Sequence, residues 1–445
     1  MSRPNSSAVQ ARRWGLAFLL SLAAPAARAA GTAPSAPPLT REDEAFLDDL
    51  QRRSLSFFLE QTDLRTGLTR DRARADGSTY TSDRGKVASS AATGFMLSAL
   101  CVGEARGWLA KDAARDQARR TLEFYVGRST HVGGWYYHFV DPGTGERRWN
   151  SEVSTIDTAL LLAGVLTVRQ CFKDDPEIVR LATELYARVD YPAMLAGDPA
   201  LLSMGYHPET GFISDRWNRY CEHPILTLVG IGAPGRALTP KAWSAWKRNW
   251  KEYGGFRYLD HKDTSLFMHQ YPQAWLDLRA WREKGKRPVD YFDNSVKATL
   301  AHRRFCLEEL GKEFPKSYGG AVWGVTASDA SEERYIAWGG PPRESHIDGS
   351  VVPCAPGGSL MFTPRASLDA LRAMKAKYGE KVYRRYGFVD AFNPTTGWFD
   401  ADVIGIDVGI TLLSAENLRT GRVWGWFMAN PEIEKGLRLA GFEKT

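Results

Sequence analysis

From Glu42 onward the apolar residues recur at the spacing of amphipathic helices. Phe46, Leu47, Leu50, Leu55, Phe57 and Phe58 fall on one helical stripe. The same period runs through 91–105, 113–125, 156–172 and 178–189, and again through 225–231, 243–250, 266–281, 296–310, 368–378 and 406–418. No long alternating stretch reads as a strand, so the pattern predicts an all-α fold.

A short turn recurs between the helical stretches. Asp63-Leu-Arg-Thr66-Gly67, Asp141-Pro-Gly-Thr144-Gly145, His207-Pro-Glu-Thr210-Gly211 and Asn393-Pro-Thr-Thr396-Gly397 share a polar residue, two spacers and Thr-Gly. Their glycines lie 78, 66 and 186 residues apart, the last being three times 62. A unit of roughly 60 to 65 residues holds two helices with their connections, and six units fill the chain. Such a composition also makes generic tight turns without any duplication. A second echo pairs Ile156-Asp157-Thr-Ala-Leu-Leu with Ile406-Asp407-Val-Gly-Ile-Thr-Leu-Leu, 250 residues away. Six helical hairpins closed in a ring form an (α/α)6 toroid over 42–445, with parallel inner helices whose N-termini share one mouth. Acids at helix starts would converge there. The glycine-rich stretch 318–364 lacks helical pattern and is expected to be a loop over that mouth.

The N-terminus differs in kind. Arg3, Arg12 and Arg13 precede the apolar run 14–22 and the small residues around Ala27-Arg28-Ala29, the order of a secretory signal peptide over 1–29. The run is too short to span a bilayer, and 30–41 is a Pro/Ala/Ser-rich spacer. The expected product is an exported, periplasmic or extracellular monomer without a membrane span. Loss of the first 29 residues removes four Arg and no acid, lowering the formal charge from +6 to +2. That leaves no basic stripe for nucleic acid. Five scattered cysteines define no disulfide framework, and most are expected to be buried apolar side chains.

Aromatic residues make up 12% of the chain, with 15 Trp. Indoles stack on the C–H faces of sugars and donate a hydrogen bond, which points to a carbohydrate ligand. Trp135, Tyr136, Trp217, Trp323, Trp338 and Trp398 lie in loops beside motifs and are candidate cleft walls. Glu152, Asp157, Glu222 and Asp407 stand at helix starts. Glycoside hydrolysis needs two carboxyl groups in opposite protonation states. Asp407, between Gly405 and Gly409 that leave room for water or sugar, suits the base; Glu222, between Tyr220 and Pro224 with an apolar helix behind, suits the acid. Each could equally be a first-turn acid that only stabilises its helix. There is no H-E-x-x-H, G-x-S-x-G or P-loop pattern, so neither a metal nor a cofactor is expected. His269 is either a sugar ligand or a satisfied core histidine.

Seven segments in order carry a resemblance: Ser151-Glu-Val-Ser-Thr-Ile-Asp-Thr-Ala, Tyr220-Cys-Glu-His-Pro-Ile-Leu, Leu266-Phe-Met-His-Gln-Tyr, Trp323-Gly-Val-Thr-Ala-Ser-Asp, Asp348-Gly-Ser-Val-Val-Pro, Tyr386-Gly-Phe-Val-Asp-Ala-Phe-Asn and Ile404-Gly-Ile-Asp-Val-Gly. From about Phe46 to Phe442 the chain resembles the glucoamylase-like family that includes bacterial endo-β-1,2-glucanases and the related domain of cyclic β-1,2-glucan synthases. The resemblance implies an (α/α)6 barrel and inverting cleavage of β-1,2-glucan, with Glu222 as acid, Asp407 as base and Glu152 as a further acid of the cleft. Asp157, His269, Gln270, Asp329 and Asp348 in the same motifs are expected to bind substrate. The chain departs from the family at Asp407-Val408-Gly409-Ile410, where Asp-Gln-Gly-Pro is usual, and at 330–338. Two other readings fit the same residues: a noncatalytic glycan-binding envelope protein, or a polysaccharide lyase or transglycosylase on this architecture.

Overall fold

The computed structural model describes residues 38–261, 265–285, 288–331, 334–343 and 346–445; the expected signal peptide over 1–29 and most of the expected spacer over 30–41 lie outside them. Thirteen helices carry the architecture: α1 (Arg41–Gln61), α2 (Ser90–Ala105), α3 (Lys111–Gly127), α4 (Thr155–Cys171), α5 (Pro176–Ala187), α6 (Pro224–Gly232), α7 (Phe267–Trp275), α8 (Tyr291–Phe305), α9 (Cys354–Gly358), α10 (Pro364–Tyr378), α11 (Gly405–Arg419), α12 (Arg422–Met428) and α13 (Pro431–Leu439). Their starts follow from local chemistry. Thr40 and Asp43 form a reciprocal capping box on α1, and Ser89, Ser154, Asp175 and Asp290 accept backbone N–H groups at α2, α4, α5 and α8.

Packing sorts the helices into two sets. α2 packs on α4, α4 on α6, α6 on α7, α7 on α9, α9 on α11, and α11 back on α2, so the contacts return to their start. α1 lies against α11 and α2, α3 against α2, α5 against α4, α13 against α6, α8 against α7 and α10 against α9. The sequence explains the division. α2 and α4 are apolar on nearly every side and buried almost throughout, whereas α5 buries only the stripe Ile178, Leu181, Ala182, Leu185 and Tyr186. Backbones in the first set come close: a Cβ on Gly94 would fall 2.2 Å from the Leu160 carbonyl oxygen, and one on Gly164 2.1 Å from that of Gly94. α12 touches α2, α4, α7 and α11 together. Trp424 Nε1 donates to the Gln273 carbonyl near the end of α7, and Asn430 Nδ2 to that of Leu166 in α4, so α12 lies across the C-terminal ends of these helices.

The chain is mostly helical but not wholly so. Among the described residues, nine small sheets of strands two to four residues long edge the helices, too short to show alternation in sequence. The Thr-Gly turns are tips of such hairpins, and each precedes one helix of the returning series: α2, α4, α6 or α11. In three of them Asp63, Asp141 or Asn393 accepts two backbone N–H groups, and Gly67, Gly145 and Gly397 carry positive φ. Three helical stretches are shorter than their patterns suggest. The one starting near Trp243 ends at Ala245, α7 contains Pro272 and stops at Trp275, and α8 gives way to a π turn at Cys306. The expected loop 318–364 contains a hairpin (Ala327–Ala330 with Arg334–Ala337) and α9, whose Cys-Ala-Pro-Gly-Gly sequence is too short and glycine-rich to betray a helix. Among the described residues no helix is long and apolar enough to cross a membrane. Among the described residues no disulfide is formed, and four of the five cysteines are buried.

Candidate active site

The starts of α2, α4, α6, α7 and α11 open onto one cavity of about 740 Å³, within the usual range for a ligand site. Ala91, Ile156, Asp157, Glu222, Phe267, Tyr271, Ile404 and Ile406 come from or just before these helices, and loops add Asp71, Arg72, Arg84, His138, Phe139, Trp149, Glu152, Trp217 and Tyr335.

Glu222 sits two residues ahead of Pro224, the first residue of α6, where proline costs no hydrogen bond. Burial, reinforced by the charge of Asp157 and opposed by His138, lifts its carboxyl to about 8. Beside it His138 bridges two acids: Nδ1 is 3.0 Å from Glu152 Oε1, and Nε2 is 3.6 Å from Asp157 Oδ1. Burial disfavours charge on His138, but Asp157 and then Glu152 outweigh it and raise the imidazole to about 9. Burial likewise works against the Glu152 carboxylate, yet the His138 hydrogen bond and charge hold it below its ordinary value. Ser154 Oγ donates to Asp157 Oδ2 at 2.5 Å and accepts from the Asp157 N–H, so the N-cap of α4 also aims its first-turn acid. One wall therefore sets the Glu222 carboxyl, whose proton burial helps to retain, beside Glu152 and Asp157 bridged by the His138 ring.

An ion-paired cluster forms another part of the lining. Arg72 donates to Asp71 at 3.1 Å and to Asp329 Oδ2 at 2.5 Å, while Arg84 takes Asp329 Oδ1 at 2.6 Å. Behind them Asp407 is 5% exposed and borders a separate void of about 20 Å³ together with Asp390 and Cys354. Its Oδ1 accepts from the Tyr271 hydroxyl at 3.2 Å and the Cys354 thiol at 3.1 Å. Burial raises Asp407 to about 6 despite hydrogen bonds from Asp390, Cys354 and Tyr271, and raises Asp390 further still. Tyr271, whose hydroxyl reaches Asp407, is itself part of the cavity lining.

Of the residues picked from sequence, Glu222, Glu152, Asp157 and Trp217 meet at the cavity. The others do not. Trp135, Tyr136, Trp323 and Trp338 are fully buried, and their polar atoms serve neighbours: Trp135 Nε1 donates to the Asp190 carbonyl, Trp323 Nε1 to that of Ala366, and Trp338 Nε1 to Ser328. Trp398 is partly buried in a hairpin away from the cavity. His269 is a core histidine bonded to Ser295, and Gln270 ties α7 to α9 through the Ala355 carbonyl and Ser359. Asp329 stands one layer back as the partner of Arg72 and Arg84, and Asp348 accepts the Ser350 N–H in its own loop. Gly405 and Gly409 make no room for ligand. A Cβ on Gly409 would meet the Phe95 ring at 2.5 Å, so the glycine admits α2 instead.

Sequence reasoning missed Asp71, Arg72, His138, Trp149, Tyr271 and Tyr335. His138 follows three consecutive aromatics, Trp149 stands two residues before the motif that starts at Ser151, and Tyr271 ends another; Asp71 and Tyr335 carried no signal. Among the described residues, two groups bring three donor atoms within 4.8 Å of one another: His138, Glu152 and Asp157, and Asp329, Asp390 and Asp400. The first is a hydrogen-bonded clamp, and in the second both Asp329 oxygens are taken by arginines.

The Glycoamylase family model, described as covering candidate glucoamylases, matches residues 214–431. An exo-β-1,2-glucooligosaccharide sophorohydrolase (non-reducing end) of Parabacteroides distasonis is 25% identical over 443 residues, 90% of this chain. The chain spans 58% of that relative's length. Among solved structures, a candidate glucoamylase from Bacteroides fragilis is 27% identical over 93% of this chain and 100% of that one, with a TM-score of 0.82. An endo-β-1,2-glucanase from Chitinophaga pinensis, solved with sophorotriose and glucose, shares the fold at a TM-score of 0.82 and 23% identity, over 90% of this chain and 98% of that one. These matches bear out the resemblance carried by the seven segments.

Proposed function

We propose that this chain, a member of the glucoamylase-like family, is an exported glycoside hydrolase that cleaves β-1,2-linked glucan with inversion, on an (α/α)6 toroid of six helical hairpins. The returning series of six helices, each backed by another, supports the toroid. The observation that carries the chemistry is Glu222, a carboxyl raised to about 8 on the wall of the cavity, beside charged acids that bind hydroxyls but do not compete for its proton. The names of the Parabacteroides and Chitinophaga relatives supply the linkage. The signal-peptide pattern of 1–29 supplies export.

Glu222 gives its proton to the glycosidic oxygen as the C1–O bond breaks, and water adds to C1 from the opposite face. The water proton passes to the Tyr271 hydroxyl oxygen while the Tyr271 proton moves to Asp407, 3.2 Å away. The step ends with Glu222 charged and Asp407 neutral, and exchange with solvent resets both. Asp407 is thus the base at one remove. Asp71, which stands on the wall itself, is the direct alternative, and the variants Tyr271→Phe and Asp71→Asn separate the two. Glu152 and Asp157 hold sugar hydroxyls, and Trp217, whose Nε1 donates to Thr155, offers only its ring. A protein that only bound glycan would have no need of a protonated acid among charged ones.

The test is incubation with linear β-1,2-glucan, with the first product followed by anomeric NMR. Release of short glucosides in the α configuration is expected, and Glu222→Gln should abolish it in a folded protein. A wild-type protein inert on β-1,2-glucan overturns the reading, as does a β-anomeric first product.

A further inference from the structure

Trp149 is the one Trp of the cavity lining that is largely exposed, at 46%. An indole that only filled space would be buried, as those of Trp135, Trp243, Trp275, Trp323 and Trp338 are. Its backbone is also costly. Trp149 and Asn150 have φ of +53° and +50°, the left-handed region that suits Asn and glycine and strains a bulky residue. Such strain persists only where the surroundings over-determine it, and it concentrates at functional sites.

Here the surroundings do over-determine it. The Ser151 N–H closes the turn onto the Arg148 carbonyl at 3.0 Å. Arg147 donates to the carbonyls of Asn150 at 2.7 Å and Ser151 at 2.6 Å, and is itself fixed by Glu209. Trp149 Nε1 donates to Asp83 Oδ2 at 2.6 Å, and Arg148 takes the other Asp83 oxygen at 2.9 Å. The indole N–H is therefore occupied and the ring orientation set, leaving a ring face as what Trp149 offers. From there an aromatic series leads inward: Trp149 meets Phe139 edge-on at 5.2 Å, and Phe139 stacks on His138 at 3.8 Å, next to Glu152 and Asp157.

We infer that Trp149 is a sugar platform at the rim of the cavity, stacking a glucosyl unit of the substrate at least one unit away from the bond that Glu222 cleaves. The inference rests on the functional reading above and adds a chain-length determinant to it. The apolar C–H face of a pyranose lies flat on an indole, and the two intervening ring contacts place that unit outside the reaction centre.

The test measures kcat and KM on β-1,2-linked oligosaccharides of three to eight units with the full chain and its Trp149→Ala, Trp149→Phe and Asp83→Ala variants. Trp149→Ala should lower kcat/KM for the longest substrate about tenfold relative to the shortest, through KM rather than kcat. Trp149→Phe should keep most of the discrimination, and Asp83→Ala, which frees the ring, should fall between. If thermal melting shows that Trp149→Ala does not fold, the other two variants carry the same readout. A loss equal at all lengths, or none, overturns the platform while leaving the hydrolase standing. A wild-type protein inert on every length overturns both.

Discussion

α4 and α11 begin with nearly the same words, Ile156-Asp157 and Ile406-Asp407, and put them to opposite uses. Each follows a short strand held by a neighbour, and each places its aspartate as the third residue of the helix. α4 is capped by Ser154, whose hydroxyl turns Asp157 toward His138 and the cavity. α11 has Ile404 at its cap with no side-chain bond to give, and Asp407 falls back onto Tyr271, Cys354 and Asp390. The two aspartates thus share a helix position but not an environment: Asp157 lines the cavity beside His138, and Asp407 lies among Tyr271, Cys354 and Asp390. Helix position alone, which singled out both acids, does not distinguish them.

The largest effect should come from the acid between these two regions. Glu222→Gln is expected to lower kcat on β-1,2-glucan about 10³- to 10⁴-fold, measured by product release, with an unchanged fold by circular dichroism. Next come the two routes to a base. If Asp407 works through Tyr271, Tyr271→Phe and Asp407→Asn should each cost about 10²-fold in kcat and Asp71→Asn far less; the reverse order assigns the base to Asp71. Smaller again is a shift in pH dependence. kcat/KM should fall as pH drops through about 6, where Asp407 takes up a proton, and as pH rises through about 8, where Glu222 loses one. Burial is the main cause of the high Glu222 value and the Asp157 charge the second, so Asp157→Asn should move the alkaline limb to lower pH and leave the acid limb in place.

The same groups set stability against pH. Glu222 is raised from 4.5 to about 8 and His138 from 6.5 to about 9, so the folded state holds both protons more tightly than the unfolded chain. Their contribution is complete below about 4.5 and 6.5 respectively, and is lost as pH rises through about 8 and 9. Melting temperature should therefore decline from pH 6.5 to 9, and less steeply in Glu222→Gln. The smallest effect is that of Ser154→Ala, which removes a cap and the guide for Asp157 at about 1 kcal/mol, read by denaturant unfolding.

What the sequence disclosed follows from how far each signal reaches along the chain. Most helices of nine or more residues declared themselves through periodicity, α13 (Pro431–Leu439) being the exception, and the paired Ile-Asp starts correctly marked two helices of one series. Signals that depend on three-dimensional neighbours did not. Trp135 and Trp149 both sit in loops near motifs, yet Trp135 points into the core from a strand while Trp149 is turned outward by two positive φ angles, which no spacing reveals. Tyr271 lay inside a quoted motif, but its role comes from Asp407, 136 residues further on. α9 was lost in a glycine-rich stretch because five residues cannot show a period.

α12 stretched across the C-terminal ends of its neighbours has a consequence for traffic. In the proposed toroid α12 would stop the far end and leave a single door, so that the proposed glucan substrate could not be threaded through like a cord through a bead. Whatever is cut inside must back out past the next chain coming in, and short products should accordingly compete with substrate for the same threshold.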